Sequence, residues 1–391
     1  MRDPTVGLYL HVPFCERICP YCDFAVVRAP TLSAEQEDAY VDALVRELAT
    51  RQAIFAGRRL ATVYLGGGTP SLLRPESVAR LLAAAREAFP GADPEEVTLE
   101  VNPSTLERAR LPGFRAAGVD RLSVGIQSLD DRVLQRLGRA HRADEARITL
   151  HATRAALFTN VSVDLIFGAP DQSTANLLRD VDEIVRADIQ HVSAYGLTIE
   201  PGTPFALAAG RGQLRLPDDE AGADMMERVG DRLARAGLAP YEISSFARRG
   251  FESRHNRRYW EREPVLGLGV GAWSSEPPSP GAPFGARRAN VRSLPIYLER
   301  LARGGAADAG PPEVLAEATA RGEAVFLALR TSAGLDARRF CIEFGGEPRR
   351  FFAAEIDDCT AAGLVEEAES GDLRLTPRGR MLSDSVFERF V

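Results

Sequence analysis

Three cysteines, Cys15, Cys19 and Cys22, fall within eight residues in the run C-E-R-I-C-P-Y-C. Three thiolates can hold three irons of a four-iron cubane, and the missing fourth protein ligand leaves one iron open to a small chelating molecule. The alternatives are a zinc site or three unrelated buried cysteines. Structural zinc usually takes four protein ligands in two close pairs, and the nearest histidine, His11, lies in a strand-like stretch before the run. Cys341 and Cys359 stand far away in helical-looking sequence beside Phe340, Phe344 and Ile356, and read as small buried apolar residues rather than half of a disulfide framework. A second constellation, H-N-R-R-Y-W, puts His255, Asn256, two arginines, Tyr259 and Trp260 into six residues. A neutral imidazole can ligate haem iron, arginines can pair with propionates and aromatic faces can cover a porphyrin. The same residues equally describe a packed loop in which His255 is satisfied by hydrogen bonds.

These groups need a frame. Short apolar runs at 7–12, 61–66, 97–101, 121–126, 161–167 and 191–197 alternate with stretches of helical period, the pattern of repeated βα units around a parallel sheet. Ser33 with Gln36 and Ser104 with Glu107 are capping-box pairs, and Gly118 stops the second of those helices. The expected fold class is α/β: a partial (β/α)6 barrel followed by a small winged-helix-like α+β domain. In such a barrel functional groups gather at the C-terminal ends of strands. The cysteine run follows strand one, G-G-G-T-P strand two, E-V-N-P closes strand three and G-I-Q-S closes strand four.

The chain of 391 residues, 45% apolar and 26% charged, is long enough for such a barrel plus an appendage, and no apolar run reaches the length of a membrane span. We divide it into the barrel and its extension at 1–274, a Pro/Gly/Ser-rich linker region at 275–311 and the C-terminal domain at 312–391. In the last, a hairpin is expected around Ser370, Gly371 and Asp372. The start M-R-D-P-T-V-G-L lacks the pattern of a secretory leader, so a cytoplasmic location is expected. The net charge of −7 and the absence of a dense Lys/Arg stripe argue against a nucleic-acid partner, which the winged-helix-like tail alone would suggest.

The cysteine run resembles the radical S-adenosylmethionine (SAM) superfamily, which has CxxxCxxC after its first barrel strand and an aromatic, here Tyr21, before the third Cys. The resemblance implies a [4Fe-4S] cluster on Cys15, Cys19 and Cys22, SAM chelating its open iron, and reductive cleavage of SAM to a 5′-deoxyadenosyl radical. It implies that Gly66, Gly67, Gly68 and Thr69 form the turn that accepts the SAM ammonium. From LYLHVPFC through GGGTPS, EVNPST, GIQSLDD, GRAH, DLIFG and EPGTPF to HNRRYW, the chain is similar to the coproporphyrinogen oxidase-like branch, and within it to the haem chaperones. Carried over, Tyr9 contacts SAM near the cluster, Glu100 its ribose region, and Gln127, Arg139 and Asp164 complete the pocket. On charge alone, Glu100, Arg139 and Asp164 are equally well ion-paired residues of a barrel rim. His255, Asn256, Tyr259 and Trp260 become the expected haem residues.

Two departures matter. The porphyrinogen dehydrogenases of the branch carry a further Cys two residues after the third cluster Cys, where this chain has Phe24, and a longer N-terminal extension, whereas only eight residues precede Tyr9. Asp171 stands where the branch commonly has Gly, which leaves the conformation of that loop open. The expected function is therefore haem binding and delivery to apoproteins such as respiratory enzymes. The rival is a radical SAM enzyme, such as an oxygen-independent coproporphyrinogen III dehydrogenase or another porphyrin- or haem-modifying enzyme.

Overall fold

The structure, a computed structural model, describes residues 4–391. Six parallel strands, β1 (Thr5–Val12), β2 (Arg59–Gly67), β3 (Glu96–Val101), β4 (Arg121–Gln127), β5 (Asn160–Phe167) and β6 (His191–Gly196), pair in sequence order. Each lies within two residues of the apolar run that forecast it. The strands are buried on both faces because helices cover the outside and side chains fill the inside. Leu8, Leu10, Val63, Leu65, Val97 and Leu99 are all at most 2% exposed. The Ser33/Gln36 capping box forms as read, whereas only half of the second does: Ser104 Oγ accepts from Glu107 N and caps the Thr105–Ala117 helix, which ends on Gly118 at φ +105°, but the Glu107 carboxylate turns to Asn102 N and Ser71 instead of Ser104 N.

The sheet is larger than the six units. After β7 (Ser245–Ala247), antiparallel to β6, the strand β8 (Val265–Leu268) adds a seventh parallel member beside β1, with Tyr9 opposite Gly267. The antiparallel β9 (Trp273–Glu276) and β10 (Ala286–Ala289) then extend that edge.

The linker assigned to 275–311 is therefore corrected. Its Pro/Gly-rich stretch is only the tip of the β9–β10 hairpin, and the Leu294–Ala302 helix packs Tyr297 and Leu301 into the main core. A buried carboxylate anchors it: Glu47, 0% exposed, accepts hydrogen bonds from Asn290 Nδ2 at 2.7 Å, Tyr297 OH at 2.7 Å and Gly269 N at 2.9 Å. The composition misled because these edge strands use arginines, such as Arg288 paired to Glu276, in place of apolar side chains.

The helix Arg254–Trp260 closes the barrel at the N-terminal ends of β1 to β3. Glu96 accepts from Arg254 N and His255 N, both at 3.0 Å, and Arg258 bonds Thr5 Oγ1 at 3.2 Å. Residues 320–390 form a core of their own, around Phe340, Ile356, Cys359 and Leu373. There three helices precede the Val365–Glu367/Leu373–Leu375 hairpin, which turns at the expected residues. No helix among the described residues is long and apolar enough to cross a membrane.

Candidate functional site

The cysteine loop leaves the top of β1 through a minimal ladder in which Phe14 and Cys15 pair with Val27 and Arg28. The hydrogen bonds Val27 N to Pro13 O and Ala29 N to Cys15 O, both 2.7 Å, fasten the base of the loop. His11 holds it from below: Nε2 donates to Ala25 O at 2.9 Å, so Nδ1 accepts from Tyr9 OH at 3.1 Å. All three thiols line one cavity of about 590 Å³ at the C-terminal ends of the strands, within the roughly 300–1,000 Å³ range of small-molecule sites.

A polar chain runs across the strand ends between two of the thiols. Thr69 Oγ1 donates to Cys15 Sγ at 3.8 Å and accepts from Asn102 Nδ2 at 2.8 Å; Asn102 Oδ1 accepts from Arg139, whose Nη1 lies 3.7 Å from Cys19 Sγ. Donors aimed at sulfur suit thiolates. Burial pushes the Cys15 thiol up to about 11, so in the cluster-free protein it holds its proton, which cluster formation must release.

The glycine turn is built for close approach. A Cβ on Gly68 would lie 2.9 Å from Cys15 Sγ and 2.8 Å from Phe14 O. Gly67 has φ +109°, and a Cβ there would lie 2.5 Å from the His11 ring. The residues fit a cluster and a chelating ligand: soft donors face one cavity, the turn beside them admits no side chain, and the buried Arg139 Nε has no partner among the described residues.

Deeper in the cavity lie two carboxylates, Glu100 on β3 and Asp164 on β5, the strands either side of β4. Glu100 accepts from Tyr64 OH at 2.9 Å and Gly67 N at 3.1 Å, while Asp164 accepts from Ser123 Oγ at 3.1 Å. Burial, with the Asp164 charge adding to it, pushes Glu100 up to about 7, and burial raises Asp164 as well. Both acids bind protons more tightly folded than unfolded, so the stability that these two groups contribute is fully present below their unfolded pKa values and is lost as pH rises toward 7. For Glu100 the swing is at most about 3 kcal/mol. Thermal unfolding of cluster-free Glu100→Gln between pH 5 and 8 is expected to show a flatter profile than wild type; an unchanged profile would remove the assignment.

Not every expected residue reaches this cavity. Cys15, Cys19, Cys22, Tyr21, Gly67, Gly68, Thr69, Glu100, Gln127, Arg139 and Asp164 line it. Gly66 and Tyr9 sit behind its wall, Tyr9 against Tyr64 with ring centroids 6.1 Å apart. Gln127 adopts φ +67° where the β4–β5 register shifts, a strained backbone of the kind that aims side chains at sites. Asp171 also takes a left-handed conformation, φ +60°, the region that favours glycine, and pairs with Arg136 at 2.7 Å.

The H-N-R-R-Y-W residues part company. Asn256 rises into the cavity floor and Trp260 lines a different cleft below. His255 is 1% exposed between Thr62 Oγ1 at 2.9 Å and Tyr259 OH at 3.3 Å, with burial pushing it down to about 3. Where the sequence suggested an axial ligand, both ring nitrogens are in use and the side chain is a neutral part of the barrel wall. Sequence reading missed Asn102, although its motif was visible, and Arg121, 2% exposed on the cavity wall. An arginine opening an otherwise apolar inner strand was the signal for it.

Residues 9–184 match the radical SAM superfamily model and 315–382 the HemN C-terminal domain. The chain is 34% identical to "Heme chaperone HemW" of Bacillus subtilis (strain 168), covering 98% of each chain. It is 39% identical to the Mycobacterium tuberculosis (strain H37Rv) protein of the same name, covering 99% of this chain and 95% of that one. Its fold is similar to that of the coproporphyrinogen III oxidase HemN of Escherichia coli, with a TM-score of 0.83 at 24% identity over 99% of this chain and 90% of that one.

Proposed function

Since the chain belongs to the radical SAM superfamily and, within it, to the HemW family of haem chaperones, we propose that it binds a [4Fe-4S] cluster, SAM and haem and delivers haem to apoproteins, respiratory enzymes among them. The observation that carries this reading is similarity to haem chaperones along nearly the whole chain. Cys15, Cys19 and Cys22 hold the cluster, which when bound supplies an open iron for SAM and an electron. Thr69 and Arg139 donate toward the thiolates, the Gly66–Thr69 turn admits the ammonium, and Tyr9, Tyr21, Glu100, Gln127 and Asp164 shape and support the pocket. The compartment proposed is the cytoplasm.

Phe24 supports a chaperone over a dehydrogenase. It stands 68% exposed at the cavity mouth, where the branch's dehydrogenases are expected to have Cys. Anaerobic reconstitution followed by haem titration and, separately, by incubation with coproporphyrinogen III, SAM and reductant tests the reading. We expect stoichiometric haem binding and no porphyrinogen conversion; robust conversion would restore the enzyme. From the packing, His255→Ala should leave the haem spectrum unchanged and lower stability by about 1–3 kcal/mol through the orphaned Thr62 and Tyr259 hydroxyls. A shifted spectrum would show that the helix opens to offer the imidazole.

A further inference from the structure

The barrel end opposite the cysteines carries a concentration of positive charge at odds with the acidic chain. A cavity of about 670 Å³ opens there at the N-terminal ends of β1 to β3. Arg58 and Arg59 line it from the start of β2, Arg254, Arg257 and Arg258 from the closing helix, Arg262 from the turn beyond, and Arg339 from the C-terminal domain. Against these seven stand three carboxylates, Glu95, Glu261 and Glu263, an excess of four positive charges.

The pairing accounts for some of the arginines and leaves two over. Glu95 takes Arg59 at 2.8 Å and Arg254 at 2.7 Å, Glu261 takes Arg257 at 2.8 Å, Glu263 takes Arg258 at 3.0 Å, and Arg262 reaches Glu343 at 2.5 Å. Arg58 and Arg339 have no carboxylate partner among the described residues. Among the described residues, the Arg58 side chain hydrogen-bonds only Thr5 O, at 3.4 Å, and that of Arg339 only Glu261 O, at 2.8 Å. Burial lowers the pKa of Arg58 and of Arg258, so the fold concentrates charge here against its own solvation preference.

The cavity adjoins a second one of about 610 Å³ between the barrel and the C-terminal domain, with Arg257, Glu261, Arg262 and Arg339 bordering both. That cleft is walled by Trp260, Tyr241, Leu335 and Phe340. Arg330 lies 4.6 Å from the Trp260 ring centroid and steadies it, while the buried Trp260 Nε1 has no partner among the described residues. An apolar slot bordered by the unpaired Arg339, with the unpaired Arg58 in the adjoining cavity, suits a flat aromatic body bearing two or more anionic oxygens, because planar guanidinium forks recognise carboxylate and phosphate in pairs.

We propose that this floor site binds a flat, amphipathic polyanion, its ring in the Trp260 cleft and its anionic groups on Arg58 and Arg339. For the identity of the ligand the proposal rests on the haem reading, in which the anionic groups are the propionates; nucleotide phosphates are the other source of the same chemistry.

The test compares wild type with Arg58→Gln/Arg339→Gln, both cluster-loaded, against haem, haem dimethyl ester, and ATP or pyrophosphate. Losing two charge-assisted contacts should weaken haem binding about 30- to 100-fold. Wild type should prefer haem to its ester by a similar factor, and the double variant should not discriminate. Arg58→Lys/Arg339→Lys should recover part of the loss. If wild type binds haem but the Gln variant binds it equally and keeps the preference, the floor site is wrong and the chaperone reading stands. If wild type binds no haem, that reading fails, and the phosphate arm decides: thermal stabilisation by ATP or pyrophosphate that the variant lacks supports the anion site, and its absence overturns it. Should the double variant misfold, Arg339→Gln, on the exposed side, is read alone with about a tenfold loss expected.

Discussion

Replacing any one of Cys15, Cys19 or Cys22 with alanine is expected to abolish the iron–sulfur cluster, while Cys341→Ala and Cys359→Ala keep it. With two thiolates left, a second iron of the cubane loses its protein ligand and the loop loses the third point that holds the cluster against Thr69 and Arg139. Cys359 is fully buried in the C-terminal core, so its truncation should cost stability without touching iron. Anaerobic iron and sulfide counts on the five variants decide the matter. A full complement surviving in Cys19→Ala would remove the cluster assignment.

Gly67→Val is expected to lower SAM affinity by at least about 100-fold, the equivalent of roughly 3 kcal/mol. The reason differs from simple obstruction. A Cβ at Gly67 points at the His11 ring rather than into the cavity, and a β-branched residue strains a backbone held at φ +109°. The turn must move, and with it the amide that Glu100 accepts at 3.1 Å. Gly68→Ala should act on the other ligand, because its methyl meets Cys15 Sγ. Calorimetric SAM titration of reconstituted Gly67→Val, with iron counted first, gives the answer. Wild-type affinity in a cluster-replete sample would mean that the turn does not bind SAM.

The sheet was legible in the sequence because parallel strands buried on both faces must be nearly continuous apolar runs, and the cap residues of two helices were legible because Ser33 and Ser104 bond their own backbones. The cysteine spacing was legible because its chemistry is local. What failed was non-local. Nothing in Val265–Leu268 says that four residues will lie beside β1, and the polar β9–β10 hairpin earned its place through ion pairs that only the fold assembles. The motif at 255–260 was visible, but it folds as a short helix in which Asn256 and Trp260 share a face one full turn apart along the axis, so they meet cavities at different heights, while His255 points into the packed wall and meets neither. Asn102 and Arg121 become site residues only when strands three and four align.

The strand that leads into the cysteine loop has one partner about fifty residues away and another about two hundred and fifty residues away. The second matters for timing. During synthesis the edge of β1 that β8 will cover stays open until residue 268 has left the ribosome, and closing so long a loop is slow. The Tyr40 hydroxyl that donates to His11 O at 2.7 Å receives Val270 N at 3.2 Å, so the root of the loop gains its last support from the same late segment. A nascent chain thus displays all three thiols long before it can cradle what they hold. Metal loading is therefore expected only once residues 265–270 are in place, and a fragment ending short of residue 265 should bind iron poorly despite carrying every cysteine ligand.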